Sequence, residues 1–481
     1  MKRKIKDAYF KILLLFLISL FSCNTGNDGN KNTSGRKGGA RDLEEIKNDG
    51  ILKVLTTYSG TSYFLYRGEP MGFEYELLER FAEHLGVSLE IHISDNIDSL
   101  LYQLNNEDVD LVAHGLTITS ERQQEADFTD YLYLTHQVLV QKKPDDWRSM
   151  RWSAVESELI HDAIELIGDT VSVRANSSYL QRLNNLSTEI GGKINIDTLK
   201  GSLSTDKIIK MVVDEEIKYT VADNNIASIN ASYYPVLNID VPISFSQRIG
   251  WALRSSSPKL KKAVNEWLKK MKDETDYYVI YNKYFKNPRS FRKRVRSEFY
   301  SLNNNKISKY DSIIKESAAE INWDWRLLSS LIYQESRFKP DAGSWAGAKG
   351  LMQLMPSTAD ELGVDDRMDP EKNLDGGTKY LSEIWDNYAE IEDSVQRIKF
   401  TMAAYNCGFF HVEDARKLAV VEDVDPNVWD KNVEEMILDL SYPETYTRPE
   451  VKYGYVRGIE PFTYVRQIFE RYEHYKKFID R

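Results

Sequence analysis

"GFEYELLERFAEHLG", Gly72–Gly86, decides how the first half of the chain folds. Its apolar residues recur at the three-to-four spacing of one helix face, and Gly86 supplies a helix stop. Working outward, "ILKVLTTY" (51–58) and "SLEIHIS" (88–94) read as flanking strands. A helix "NIDSLLYQLNNED" and a strand "VDLVAHGLTI" follow. Further on come short strands "TVSVRA", "INIDTL" and "IKYTVAD", then "IGWALR" and a helix "PKLKKAVNEWLKKMKDE". Strand–helix–strand alternation predicts parallel α/β sheets. Two such sets, with the chain crossing between them, predict two lobes.

A length of 481 residues allows two to four domains. The net charge of −11 argues against nucleic acid as a partner, because binding it needs a basic surface. The chain starts with a basic "MKRKIK" and an apolar "ILLLFLISLF", which is too short to span a bilayer comfortably. "LFSC", Leu20–Cys23, resembles a bacterial lipobox, in which the cysteine is lipidated and becomes the mature N-terminus. The polar run "NTGNDGNKNTSGRKGG" then reads as a flexible tether. The expected boundaries are a signal peptide over 1–22 and a tether over 23–42. With Cys23 acylated, Cys407 has no partner for an internal disulfide.

"MGFEYELLERFAEHLG" followed by "DLVAHGLTITSERQQEADFTDYL" resembles the family 3 solute-binding proteins, which bind amino acids. The resemblance implies a periplasmic-binding-protein-like domain over 43–288. Its "G-x-T-x-T-x-x-R" pattern implies that Thr117 and Arg122 hold a ligand's α-carboxylate, a group that a guanidinium fork binds bidentately. Ser177, Ser178 and Asp223 are the expected contributions of the second lobe, Asp223 toward an α-ammonium. The basic run "NPRSFRKRVRSEFY" marks a change of composition, read as a linker over 289–307. From Ser308 to the end, 308–481, the pattern is helical almost throughout.

Within that helical part, Leu327, Leu331 and Glu335 step by four, so Glu335 shares a face with residues that bury. A carboxyl group there loses hydration and titrates higher, as a general acid near neutral pH requires. Four segments recur in order: "QESRF", "GSWAGAKGLMQLMPSTA", "AAYNCG" and "PFTYVRQI". Together they resemble the soluble-type lytic transglycosylase domain, related to goose-type lysozyme. That likeness implies catalysis by Glu335 and substrate contacts from Ser336, Met352, Gln353, Tyr405, Asn406 and Tyr464. It also implies that Gly350 permits close backbone approach. Cys407 stands where a small residue is usual and reads as a small hydrophobe.

Fold class is therefore expected as multidomain, with a two-lobed α/β binding domain ahead of a mainly α, lysozyme-like domain. Behind a lipobox, the combination resembles the membrane-bound lytic murein transglycosylases. The motifs offer one carboxyl group where most glycosidases use two; Asp341, in "KPDAG", reads as a turn residue. The resemblance implies that Glu335 cleaves between N-acetylmuramic acid and N-acetylglucosamine and leaves a 1,6-anhydro end. No cofactor or metal is expected, since the seven histidines form no ligand-spaced cluster. Expected partners are peptidoglycan strands, a small amino acid or muropeptide, and the outer membrane through a lipid anchor facing the periplasm. Two readings stay open beside this one: a goose-type muramidase that uses water, and a lipid-anchored binding protein whose second domain only grips glycan.

Overall fold

The computed structural model describes residues 41–479, apart from 95, 107, 200–202 and 303. The signal peptide, Cys23 and nearly all of the tether lie outside the described residues. Strands run in the order β1 (Ile51–Thr56), β2 (Phe64–Tyr66), β3 (Glu69–Met71), β4 (Ser88–Ile93) and β5 (Leu111–Thr117). Short β6 (Asp127–Phe128) and β7 (Tyr133–Thr135) lead to β8 (Gln137–Lys142), where the second lobe begins. That lobe holds β9 (Thr170–Arg174), β10 (Asn195–Leu199), β11 (Tyr219–Asp223) and β12 (Leu237–Asn238). β13 (Gln247–Leu253) returns to the first lobe.

The first-lobe sheet has the order β4-β1-β5-β13-β6, with β7 also on β13. β1 is parallel to β4 and β5, as the alternation predicts, but β13 is antiparallel to β5. The reason is topological. A strand returning from the other lobe enters its sheet from the cleft side, which reverses its direction. In the second lobe β8 pairs antiparallel with β11 and β12, while β9 and β10 are parallel. β7 and β13 run side by side at the crossing, with Thr135 opposite Gln247. The helix Phe73–Leu85 forms as its period predicts, burying Phe73, Leu77, Leu78 and Phe81. It stops on Gly86, whose φ of 71° is left-handed.

The 289–307 segment is not a loose connection. Pro288–Val295 is a helix that buries Phe291 and Arg294, the Arg294 guanidinium lying near the rings of Phe64, Tyr284 and Phe291. Beyond it, Ser301 N–H donates to the Leu65 carbonyl at 3.0 Å, and Leu65 N–H to Ser301 Oγ at 2.8 Å. The segment is thus fastened to the β2–β3 hairpin. The other charges of the helix, Arg289, Arg292 and Lys293, are exposed on its outer face.

The second domain is a helical body. Its central helix, Trp325–Ser336, is buried on every side from Trp325 to Tyr333, not on one face alone. It packs between the Asp311–Glu320 helix and the C-terminal helix Ile459–Phe478, which also crosses Ser394–Cys407. The end of the C-terminal helix, still part of this body's core, also seats on the first lobe. Tyr475 OH donates to the Gly68 carbonyl at 2.7 Å, Tyr63 OH meets His474 Nδ1, and Phe478 packs against Tyr58 and Tyr63. Leu65 of the β2–β3 hairpin belongs to the hydrophobic core of the helical domain.

Candidate active site and ligand cleft

Glu335 occupies the last turn of the central helix. Arg337 and Phe338 directly after it both take left-handed backbone angles, φ 50° and 58°, so the chain reverses at once and leaves the carboxyl group at the helix mouth. Bulky residues rarely adopt such angles, and they concentrate where function over-determines the backbone. The Glu335 side chain keeps some exposure, yet protein encloses most of it, and this burial pushes its pKa up to about 7. The opposing influence is Tyr464, whose hydroxyl donates to Glu335 Oε1. Among the described residues no charged group contributes to the shift. A carboxyl group poised near 7 can donate a proton and then take one back.

Tyr464 comes from the C-terminal helix and is itself buried. Tyr405, from Ser394–Cys407, lies close enough for the Glu335 charge to raise its phenol's pKa well above the usual value, after burial as the larger cause. Its hydroxyl donates to the Met352 carbonyl at 2.8 Å. Met352 therefore reaches the site through its backbone. Its side chain is fully buried against Gly377. Gln353 sits at φ 51° and spends its amide on the Ala342 and Gly350 carbonyls, at 3.0 and 2.9 Å. Ser336 is buried, and its Oγ donates to Ile332 O at 3.2 Å, bracing the helix end instead of facing substrate. Asn406 is exposed, and Asp341 is exposed in a turn. Burial pushes the Cys407 thiol up to about 12, which leaves it protonated and unreactive.

Sequence reasoning missed Asn373. Fully buried, it accepts from Met352 N–H at 2.7 Å and donates to the Lys349 and Arg367 carbonyls. Those bonds clip the Gly350–Gln353 loop beneath Tyr405. A signal existed: Asn373, Gly377 and Leu381 step by four, placing an amide on a buried helix face just as Glu335 is placed.

Removing the Tyr464 hydroxyl has a definite sign. That bond favours the Glu335 carboxylate, so Tyr464→Phe should raise the acid's pKa further, by about one unit. The alkaline limb of the lytic rate should then move to higher pH. A pH–rate profile checks this; an unmoved or lowered limb would contradict the contact.

The second site lies between the α/β lobes. Thr117, at the end of β5, and Ser178, on the opposite lobe, approach within 3.2 Å through their hydroxyls. Arg122 donates to the Thr117 carbonyl at 3.0 Å. Asp223, at the end of β11, is buried; this pushes its pKa up to about 7 against a Tyr179 hydrogen bond and the charges of Arg122 and Arg174. Its Oδ1 has no hydrogen-bond partner. These residues line a cavity of about 50 Å³. Ser177 stands apart from them in role: it caps the Ser178–Glu189 helix and donates to the Arg174 carbonyl. Two cleft residues escaped the sequence reading. Arg174 is one. His114 is the other, held far below its usual pKa by burial and the two arginines, and therefore neutral.

A two-lobed receptor cleft fused to a one-carboxylate site on a helical, lysozyme-like body defines the class: a glycan-cleaving enzyme with a small-molecule-binding module. Residues 51–287 match the bacterial extracellular solute-binding proteins, family 3, and residues 312–424 match the transglycosylase SLT domain. Membrane-bound lytic murein transglycosylase F of Desulfosudis oleivorans is 34% identical over 435 residues, 90% of this chain and 92% of that protein. The protein of the same name from Stutzerimonas stutzeri is 32% identical over 438 residues, 90% of this chain and 86% of its own. The crystal structure of an ancestral amino acid-binding protein, a precursor of cyclohexadienyl dehydratase, is 26% identical with a TM-score of 0.40, covering 50% of this chain and 98% of that one. The chain belongs to the membrane-bound lytic murein transglycosylase F family.

Proposed function

We propose that this murein-degrading lytic transglycosylase works with Glu335 alone, first as acid and then as base. Neutral Glu335 protonates the glycosidic oxygen between N-acetylmuramic acid and N-acetylglucosamine, and the C1–O bond breaks. The sugar's acetamido group relieves the cation at C1. The Glu335 carboxylate then takes the C6 hydroxyl proton while O6 bonds to C1, leaving a 1,6-anhydro end. The observation that supports this is the setting of Glu335: it is enclosed at the helix mouth, burial pushes its pKa up to about 7, and the Tyr464 hydroxyl donates to it. Mass spectrometry of digested murein tests the reading, since anhydro products are lighter by one water than hydrolytic ones.

The N-terminal module is read as a receptor for a free amino acid or murein-derived peptide that controls the enzyme behind it. What supports control is the C-terminal helix: Tyr464 near its start touches Glu335, and Tyr475 near its end bonds to the first lobe. A hinge motion in the receptor reaches the acid through this one rigid element, provided the two arrangements differ in ligand affinity. Ligand should change the lytic rate about fivefold or more in wild type and leave Arg122→Ala unaffected. Equal rates in all four conditions would reduce the module to a passive anchor.

Anchoring is read from Cys23, as a lipoprotein at the periplasmic face of the outer membrane. No helix among the described residues is long and apolar enough to cross a membrane. Cys23→Ala should leave soluble or uncleaved precursor. Mature-sized protein in the membrane fraction would refute acylation.

A further inference from the structure

Two enclosed arginines and two enclosed aspartates, Asp206 and Asp223, line the ligand cleft. Arg122 and Arg174 line the same small cavity, and both also line an adjoining polar cavity of about 440 Å³. Arg174 is 8% exposed, and its Nε donates no hydrogen bond. Asp98 Oδ1, on the opposite lobe, forms an ion pair with it at 3.7 Å but is too far for a hydrogen bond. Burial and the neighbouring Arg174 charge both disfavour the Arg122 cation. Asp98 and Asp223 offset part of the cost of enclosing two guanidinium groups, and an anion that accepted a hydrogen bond from the Arg174 Nε would offset more.

An α-amino acid accounts for two of the charged groups. Its carboxylate suits Arg122 beside Thr117, and its ammonium suits the unpartnered Oδ1 of Asp223. Arg174 remains, buried and under-bonded, facing the space where a side chain would lie. We infer that Arg174 reads a second anionic group, so that the cleft selects an acidic α-amino acid, free or as the terminal residue of a short peptide. This rests on the reading of the N-terminal module as an amino-acid receptor. The second cavity, continuous with the first through Arg122, Arg174 and Ser178, leaves room for the longer form.

Isothermal titration of the full chain tests it, with L-glutamate and alanyl-glutamate set against L-glutamine and alanyl-glutamine. A hydrogen bond to a charged group contributes about 1.5–3 kcal/mol, so each acid should bind about 10–100-fold more tightly than its amide. The stronger acid of the pair identifies the source, free or peptide. Arg174→Gln should erase the preference, and Arg174→Lys, which keeps the charge, should retain part of it. Unliganded unfolding midpoints of both variants verify that they fold. Amides binding as tightly as acids, or a preference that survives Arg174→Gln, would overturn the inference while leaving the receptor reading intact. Binding by none of the four probes would overturn both.

Discussion

Glu335→Gln is expected to lower the lytic rate about 10²–10⁴-fold while the protein stays folded. The amide keeps the shape of the side chain and can still accept from Tyr464, but it has no proton to donate. Stability should move the other way. The folded-state pKa of Glu335 is about 7, above the ordinary value of 4.5, so the native state holds a proton that the unfolded chain gives up. Wild type therefore loses stability as pH rises from about 4.5 through about 7, and the Gln variant does not. Above pH 7 the variant should be more stable by about 1–3 kcal/mol, a range that allows for the partial exposure of the group. Below pH 4.5 the two should converge. Thermal unfolding at pH 5 and pH 8, beside a murein-clearing assay, reads both effects. Retained turnover would move the chemistry elsewhere.

Gly350→Ala should cost about 3–5 kcal/mol, from steric overlap and backbone strain together. Gly350 sits at φ 89°, which side chains disfavour. A Cβ there would fall 2.1 Å from the Arg367 carbonyl oxygen and 2.2 Å from Asn373 Nδ2. Neither neighbour can step aside. The first is backbone, and the second is buried and holds the Lys349 and Arg367 carbonyls. Because the same loop presents the Met352 carbonyl to Tyr405, lytic activity should fall with stability. Denaturant unfolding of the full chain, followed through the transition that abolishes activity, measures the loss. An unchanged midpoint would mean that the loop is not held by this contact.

These sites differ in how far the sequence exposes them, for a physical reason. Glu335 announces itself because its helix neighbours supply the frame: a charged residue in register with Leu327 and Leu331 contradicts the local pattern. The helix ending on Gly86 is legible in the same way. Asn373 carries a similar register signal, but its meaning lies in Lys349 and Arg367, which are distant in sequence. Arg174 reads as one residue of a strand, and only the closing of two lobes sets it beside Arg122. The antiparallel course of β13 was hidden for the same reason, since alternation says nothing about a chain that leaves one sheet and returns. The 289–307 segment is legible only in part. Its composition resembles a linker, yet Phe291 and Arg294 anchor it.

If Glu335 closes the sugar on itself, water takes no part in the cleavage. Digesting purified murein in water enriched in heavy oxygen tests this most directly. Anhydromuramoyl ends that carry no heavy oxygen are expected. Reducing ends bearing one heavy oxygen atom each would contradict this and make the protein a hydrolase.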